Sequence, residues 1–320
     1  MSTNFSYADY FRGGIVLGEL LRTDENPNWL SKMPSEVPKT KNLVYLGCNI
    51  FKTVHLVETI CKVLDHLQVD YKAVGGPAFC CGTVPRKKGD LKMGKGMFTR
   101  TVSVFDKFEF DTLVHWCPSC EEEFAFNETL NSLGSRQVHF SEFLLNLLGN
   151  RSFPVSVPRR VALHYHGGNP RAESESQNAL AILRQIPGLE VVSQTAPGVF
   201  GTHCASQGAI RVLGIEGYQQ AVHDEYDQAR KSACDGIVSV YHSCHREFAK
   251  ARRPGDVEVV NYVTLVAQAL GLAIPEDKFQ HLASLNSLDR ALEEVLPIAK
   301  KRGLERGVVE SVLKSQLTFR

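Results

Sequence analysis

The run TLVHWCPSC (112–120) is answered further along the chain by GIVSVYHSC (236–244). In each, a short apolar run leads into a turn that ends on cysteine, as a buried strand followed by a loop would. Working outward from the first copy, NLVYLGC (42–48) reads as a strand and TVHLVETICKVLDHL (53–67) as a helix. A short strand YKAVGG (71–76), the loop PAFCCGTVPRKKG (77–89) and a helix around 96–107 come next. VHFSEFLLNLLG (138–149) closes this half with an apolar helical pattern. The second half keeps the order: strand RVALHYHGG (160–168), helix SESQNALAILRQI (174–186), strand LEVVSQ (189–194), loop GTHCASQG (201–208). Its closing VVNYVTLVAQALG (259–271) mirrors 138–149, with Gly271 lying 122 residues after Gly149. Strands alternating with helices give parallel sheets flanked by helices. A duplication this long predicts two tandem, similar α/β lobes related by a pseudo-twofold. The linker falls at RSFPVSVP (151–158), where two prolines break the periodicity.

At 320 residues the chain is long enough for two domains. A net charge of +1 gives no reason to expect nucleic acid or a charged membrane surface as partner. The longest apolar run, 262–274, is too short and too interrupted to span a bilayer. The opening MSTNFSYADYFRGG lacks a basic start followed by an apolar stretch, so no secretion signal and a cytoplasmic location are expected. Nine cysteines are many for a reducing compartment, where clustered thiols more often bind metal than pair. Cys61 and Cys234 sit within helical patterns and read as small core residues.

Five of the others form one pattern, C-x31-C-C-G-x34-C-x-x-C, at Cys48, Cys80, Cys81, Cys117 and Cys120. Each group directly follows an expected strand, and loops at the carboxyl ends of parallel strands converge on one edge. Five thiolates exceed what a tetrahedral zinc needs. Adjacent cysteines point apart and suit neighbouring irons of a polynuclear cluster better than one small ion, so an iron–sulfur site is expected. Arg86, Lys87 and Lys88 would either offset the charge of that site or form a solvated basic turn. Cys117 and Cys120 alone could be a thioredoxin-like redox pair, which would leave the other three cysteines without a role. GDLKMGKG (89–96) approaches a phosphate-binding loop but has Gly96 where a hydroxyl is required, and reads as a loop and helix start.

This pattern resembles the CCG domain of heterodisulfide reductase B-type subunits and related electron-transfer subunits. The resemblance covers about residues 42–271, since that family carries two such motifs in tandem. It implies a first CCG domain at 41–150, whose five cysteines hold one noncubane [4Fe-4S] cluster. It also implies a second, CCG-like domain at 159–271. Some members hold zinc at one site instead.

The second motif departs from the pattern. Asn169 aligns with Cys48, His203-Cys204-Ala205 with the Cys-Cys-Gly, and Tyr241 to Cys244 with the C-x-x-C. Three of five thiols are gone, so no noncubane cluster is expected there. His164, His166, His203, Cys204, His242, Cys244 and His245 would still line the corresponding edge. That set could hold zinc or a mononuclear iron, stay empty as a hydrogen-bonded pocket, or meet a substrate or partner.

Residues 1–40 read as an N-terminal docking extension and 272–320 as a helical tail with an apolar stripe, SLDRALEEVLPIAKKRGLERGVVESVLKSQL (287–317). With one intact motif, the resemblance implies a carrier of single electrons within a heterodisulfide-reductase-like oxidoreductase complex. Its partners would be a ferredoxin-like iron–sulfur subunit, a flavoprotein subunit, or both. The alternatives are a zinc-stabilised scaffold without redox role and a disulfide reductase acting at its single cluster.

Overall fold

Runs of consecutive apolar residues, rather than alternating ones, are what strands need when both faces of a parallel sheet are covered. The computed structural model describes residues 6–23, 29–37, 39–128, 133–194 and 207–317, and forms two parallel sheets flanked by helices, with a helical C-terminal region. The described residues divide into two compact units, one from Met1–Leu64, Gln68–His139 and Leu285–Arg320, the other from Asp65–Leu67 and Phe140–Ser284. No helix among the described residues is long and apolar enough to cross a membrane.

In the first unit, α1 (Tyr7–Leu21) and β1 (Trp29–Leu30) precede β2 (Asn42–Gly47), α2 (Val54–His66) and β3 (Tyr71–Gly75). They are followed by α3 (Thr83–Lys87), α4 (Leu91–Phe105), β4 (Thr112–His115), α5 (Pro118–Phe126) and β5 (Arg136–His139). The strands lie in the order β1-β3-β2-β4-β5 and every pairing is parallel. The expected helix around 96–107 begins earlier, because Asp90 caps it by accepting from the Met93 N–H at 3.0 Å. That cap settles GDLKMGKG as turn and helix start.

In the second unit, α6 (Phe140–Leu148) leads to β6 (Arg159–His164), α7 (Pro170–Leu183), β7 (Leu189–Gln194) and α8 (Gln207–Lys231). Then come β8 (Gly236–Ser239), α9 (His242–Ala251), β9 (Glu258–Asn261), α10 (Tyr262–Ala269) and α11 (Lys278–Ser284). Its sheet runs β7-β6-β8-β9, again parallel throughout. Setting β1 aside, the two sheets share one strand order. In both, the chain first turns to one side and then crosses to the other, between β2 and β4 and between β6 and β8. Such a reversal opens a crevice at the carboxyl ends of the strands, the usual ligand position in open α/β sheets.

The tail's apolar stripe is spent within the chain. Ala291, Leu292, Val295 and Ala299 of α12 (Leu288–Lys301) and Val309, Val312 and Leu313 of α13 (Arg306–Gln316) are buried. Both helices pack on α1, and Arg302 reaches Glu19 at 3.2 Å and the Arg22 carbonyl at 3.4 Å. Cys61 and Cys234 are buried, 3% and 6% exposed, where small apolar side chains belong.

Candidate metal centre

The three cysteine groups of the first unit sit at the carboxyl ends of β2, β3 and β4, which are adjacent in the sheet. Gly47 leaves β2 with a φ of 84°, and Cys48 then opens a short 3-10 turn to Lys52. β3 passes through a second turn, Pro77–Phe79, to extended Cys80, then Cys81 and Gly82. Beyond β4, Cys117 stands at the N-cap of α5 and Cys120 is its third residue. The Gly76 N–H donates to the Gly47 carbonyl at 2.9 Å and ties the first two loops together.

Two glycines hold this edge open. A Cβ on Gly47 would stand 2.9 Å from Cys117 Cβ and 3.2 Å from Cys120 Sγ. At Gly82, with a φ of 85°, a Cβ would lie 2.2 Å from the Gly94 carbonyl oxygen, where α3 meets α4. Both the positive φ and the contact therefore require glycine.

The five sulfurs form one connected row. Cys48 lies beside Cys80, Cys80 beside Cys81, Cys81 beside Cys120, and Cys120 beside Cys117, each acting on its neighbour's ionisation. Cys80, Cys81 and Cys120 are at most 2% exposed, and the row rests on a bed of Tyr45, Phe79, Phe98, Phe105 and Phe124. Crowding keeps these thiols protonated when nothing positive lies among them. The Cys80 thiol is pushed up by its bond to Cys48, against a bond from Cys81, and further by burial. The bond from Cys120 lowers Cys81, but the bond to Cys80, burial and the neighbouring sulfurs outweigh it. Cys120 is raised by its bonds to Cys117 and Cys81 and then by burial. A soft cationic group would reverse all three, because each thiol could then ionise against positive charge.

Tyr45 is the partner that sequence reasoning missed. It is fully buried, and its hydroxyl donates to the Phe79 carbonyl at 2.5 Å. Burial first, and then Cys120, Cys81, Cys80 and Cys48, hold that hydroxyl far above its ordinary pKa, so it stays a donor. Thr101 donates to the Cys80 carbonyl at 2.7 Å and pins the same loop from α4. Two members of the basic run have other employment. Arg86 Nε reaches both oxygens of buried Glu123, at 2.9 and 2.7 Å, and Lys87 meets Glu122 at 2.9 Å. They latch α3 to α5, so the charge of Arg86 and Lys87 is already answered by carboxylates.

The second unit presents a different edge. His164 pairs with Ser239 across β6 and β8 as Tyr45 pairs with His115 across β2 and β4. Cys244 is the third residue of α9, as Cys120 is of α5, and the first turns match, with Tyr241 and Cys117 carbonyls each accepting at 3.1 Å. By this register His166 stands where Gly47 does, and Gly167 takes the position of Cys48. That corrects the alignment of Asn169 with Cys48. Asn169 instead caps α7, accepting from the Ala172 N–H at 3.0 Å.

His164, His166 and Cys244 come together, each offering a ligand atom within 4.8 Å of the other two. All three are buried. Cys244 Sγ and His166 Nε2 are 3.5 Å apart, and His164 Nδ1 meets Glu225 at 2.8 and 3.0 Å. Burial alone would lower the His164 pKa, but the Glu225 carboxylate and Cys244 overcome it and hold it at about 10. His242 is buried outside this group, and His245 pairs with Asp277 at 2.6 Å. His203 and Cys204 lie outside the described residues. Glu225 gave no motif signal, being one acid on a long polar helix.

Comparison with known proteins matches residues 43–125 to the cysteine-rich CCG domain. The chain is 24% identical to the D subunit of the dihydromethanophenazine:CoB–CoM heterodisulfide reductase of Methanosarcina acetivorans over 249 residues, 73% of this chain and 60% of that protein. It thus spans less than two thirds of that relative's length. Among solved structures, a hypothetical protein from Helicobacter pylori aligns with a TM-score of 0.48 and 10% identity, over 88% of this chain and 57% of that one. An aspartate racemase homologue from Pyrococcus horikoshii aligns at 0.32 and 13%, over 72% and 99%. Residues 43–125 thus match a CCG domain, and the chain as a whole is similar to the D subunit of a heterodisulfide reductase.

Proposed function

We propose that this CCG-domain chain is an iron–sulfur electron-transfer subunit of a heterodisulfide-reductase-like oxidoreductase complex. Cys48, Cys80, Cys81, Cys117 and Cys120 would hold one noncubane [4Fe-4S] cluster. The carrying observation is the row of five neighbouring sulfurs, drawn from three adjacent strand ends onto an apolar bed. The donor set is all soft sulfur, one more than a tetrahedral zinc takes, and Gly47 keeps side-chain atoms out of the space beside Cys117 and Cys120. When bound, such a cluster supplies one-electron transfer.

The chain's own residues position and insulate. The aromatic bed excludes water, which together with hydrogen bonds to sulfur sets a cluster's potential. Tyr45 and Thr101 fix the backbone on either side of the Cys-Cys pair through the Phe79 and Cys80 carbonyls. The N-terminus of α5 carries Cys117 and Cys120 and offers positive dipole charge to thiolates. The tandem domains of the sequence reading, with a ferredoxin-like or flavoprotein subunit as electron partner, belong to this proposal. Its support is that the relative is one subunit of a reductase.

Purification without oxygen, followed by iron, sulfide and zinc analysis, tests the reading. The expected result is about four irons with matching acid-labile sulfide per chain, and visible absorption that bleaches on reduction. A colourless protein without iron or sulfide would end it, and zinc in that material that is lost on Cys81→Ser would make the first site a scaffold.

A further inference from the structure

We propose that the second unit binds a single divalent transition-metal ion, of the zinc class, through His164, His166 and Cys244. The argument is independent of the first centre, because none of its cysteines takes part.

The geometry comes first. With zinc–sulfur near 2.3 Å and zinc–nitrogen near 2.0–2.1 Å, the sulfur–nitrogen edge of a tetrahedron is about 3.5 Å. Cys244 Sγ and His166 Nε2 stand at 3.5 Å, and the ligand atoms of all three residues lie within 4.8 Å of one another. His164 is 0% exposed, His166 3% and Cys244 1%, so the donors are shielded from water on the protein side. Two imidazoles and one thiolate form a borderline-soft set that suits zinc, cobalt or ferrous iron rather than magnesium or calcium. The described residues supply three of the four donors that a tetrahedral site takes.

The surroundings hold these donors in place. Glu225 engages His164 Nδ1, which leaves Nε2 as the nitrogen available to an ion. A carboxylate behind a ligating histidine is the usual outer shell of such sites. The His166 backbone is clamped by Ser176, whose hydroxyl meets its N–H at 2.9 Å and its carbonyl at 3.3 Å. Tyr241 lies against the His166 ring with centroids 4.3 Å apart, and Phe248 against His164 at 4.9 Å. The position in the fold agrees, since β6 and β8 flank the crevice where this sheet changes direction. A histidine fills the space that Gly47 leaves empty in the first unit, so one ion replaces a polynuclear group.

The test uses the full chain and the metals themselves. Purified protein is incubated with zinc or cobalt(II), desalted, and assayed for metal and iron in the same samples. About one zinc per chain is expected. The cobalt form should show the intense visible bands of a tetrahedral site and a single thiolate charge-transfer band. Cys244→Ser and His166→Ala should each lose the zinc while iron per chain is unchanged. Glu225→Gln, which keeps the three donors, should weaken zinc binding by roughly 10- to 100-fold. Near-ultraviolet circular dichroism checks that each variant is folded, and the wild-type cobalt spectrum needs no variant. Absence of bound zinc after incubation, zinc that survives both substitutions, or a cobalt spectrum without a thiolate band would overturn the proposal. A failure of the first centre would instead appear as missing iron with this zinc still present.

Discussion

The two sheet edges are built on the same strand order and differ by what stands in a handful of matched positions. At the first edge the β2 position facing the third residue of α5 is Gly47, and that helix residue is Cys120. At the second the pair is His166 and Cys244, 3.5 Å apart. Removing a side chain opens room for several atoms, whereas an imidazole fills that room and offers one nitrogen. Tyr45 and His164 differ in the same way. One is a fixed hydroxyl donor among sulfurs, the other an imidazole braced by a carboxylate. A strand end is therefore a neutral frame, and under the two proposals the choice between a polynuclear and a mononuclear centre would rest on side-chain volume at the ladder position before the loop.

The most severe way to break the comparison is at the sulfurs. Cys81→Ser removes the middle of the row and should abolish iron binding almost completely, as read by iron analysis and visible absorption. Cys244→Ser, at the other edge, should leave iron untouched. Equal iron loss in both would erase the distinction between the edges. Next comes Gly47→Ala, which places a Cβ 2.9 Å from Cys117 Cβ at a φ of 84°. Strain and overlap together should cost about 2–4 kcal/mol in denaturant unfolding, with most iron lost.

The buried acids sharpen the contrast at lower cost. Glu123 and Glu247 each follow the matched cysteine by three residues. Glu123 binds across to Thr83 and Arg86 of α3, while Glu247 pairs with Arg246 and Lys250 of its own helix. Glu123→Gln should cost about 2–3 kcal/mol and loosen the Cys-Cys loop, lowering iron occupancy. At Glu247 burial would raise the carboxyl pKa, but Arg246 and then Lys250 bring it below its ordinary value of 4.5. A folded pKa below the unfolded one gives stability that is present above about pH 4.5 and lost as pH falls through the folded value. Glu247→Gln should therefore flatten the acid side of the stability profile. A profile that stays steep in the variant would assign that acid loss to other groups.

Much of this frame was legible in the sequence because its signals are local. Apolar runs ending on cysteine mark strand ends, and helical stripes mark the connections, so three strands of each sheet and the first-edge cysteines could be placed from spacing, while β1 fell in the N-terminal extension and β5 and β9 in closing stretches that read as helical. What was not legible depends on register and on distant partners. Asn169 followed a strand as Cys48 does, yet Asn-Pro is a helix start, and the cap it makes shifts the matched position back to Gly167. Glu225 becomes relevant only because the fold brings α8 to the end of β6, against a histidine 61 residues away. Tyr45 looked like one more core aromatic, and its hydroxyl acquires a role only when the Phe79 carbonyl is folded over it.

The smallest expected effect lies at that hydroxyl. Tyr45→Phe keeps the ring, its edge-on contact with Phe105 at 4.9 Å, and the shape of the bed beneath the sulfurs. It removes one hydrogen bond and leaves the Phe79 carbonyl without that donor, which should cost about 1 kcal/mol. Four of the five cysteine sulfurs are close enough to raise the hydroxyl's pKa, so the hydroxyl dipole acts on the same space. Iron occupancy should be unchanged, and the midpoint potential of the bound centre should shift, because an oriented dipole has been taken from beside it. At the other edge the matched residue is His164, whose replacement by Phe should leave iron and potential alone. If Tyr45→Phe moved neither stability nor potential, the hydroxyl would be a spectator, and the contrast between the edges would reduce to Gly47 against His166 alone.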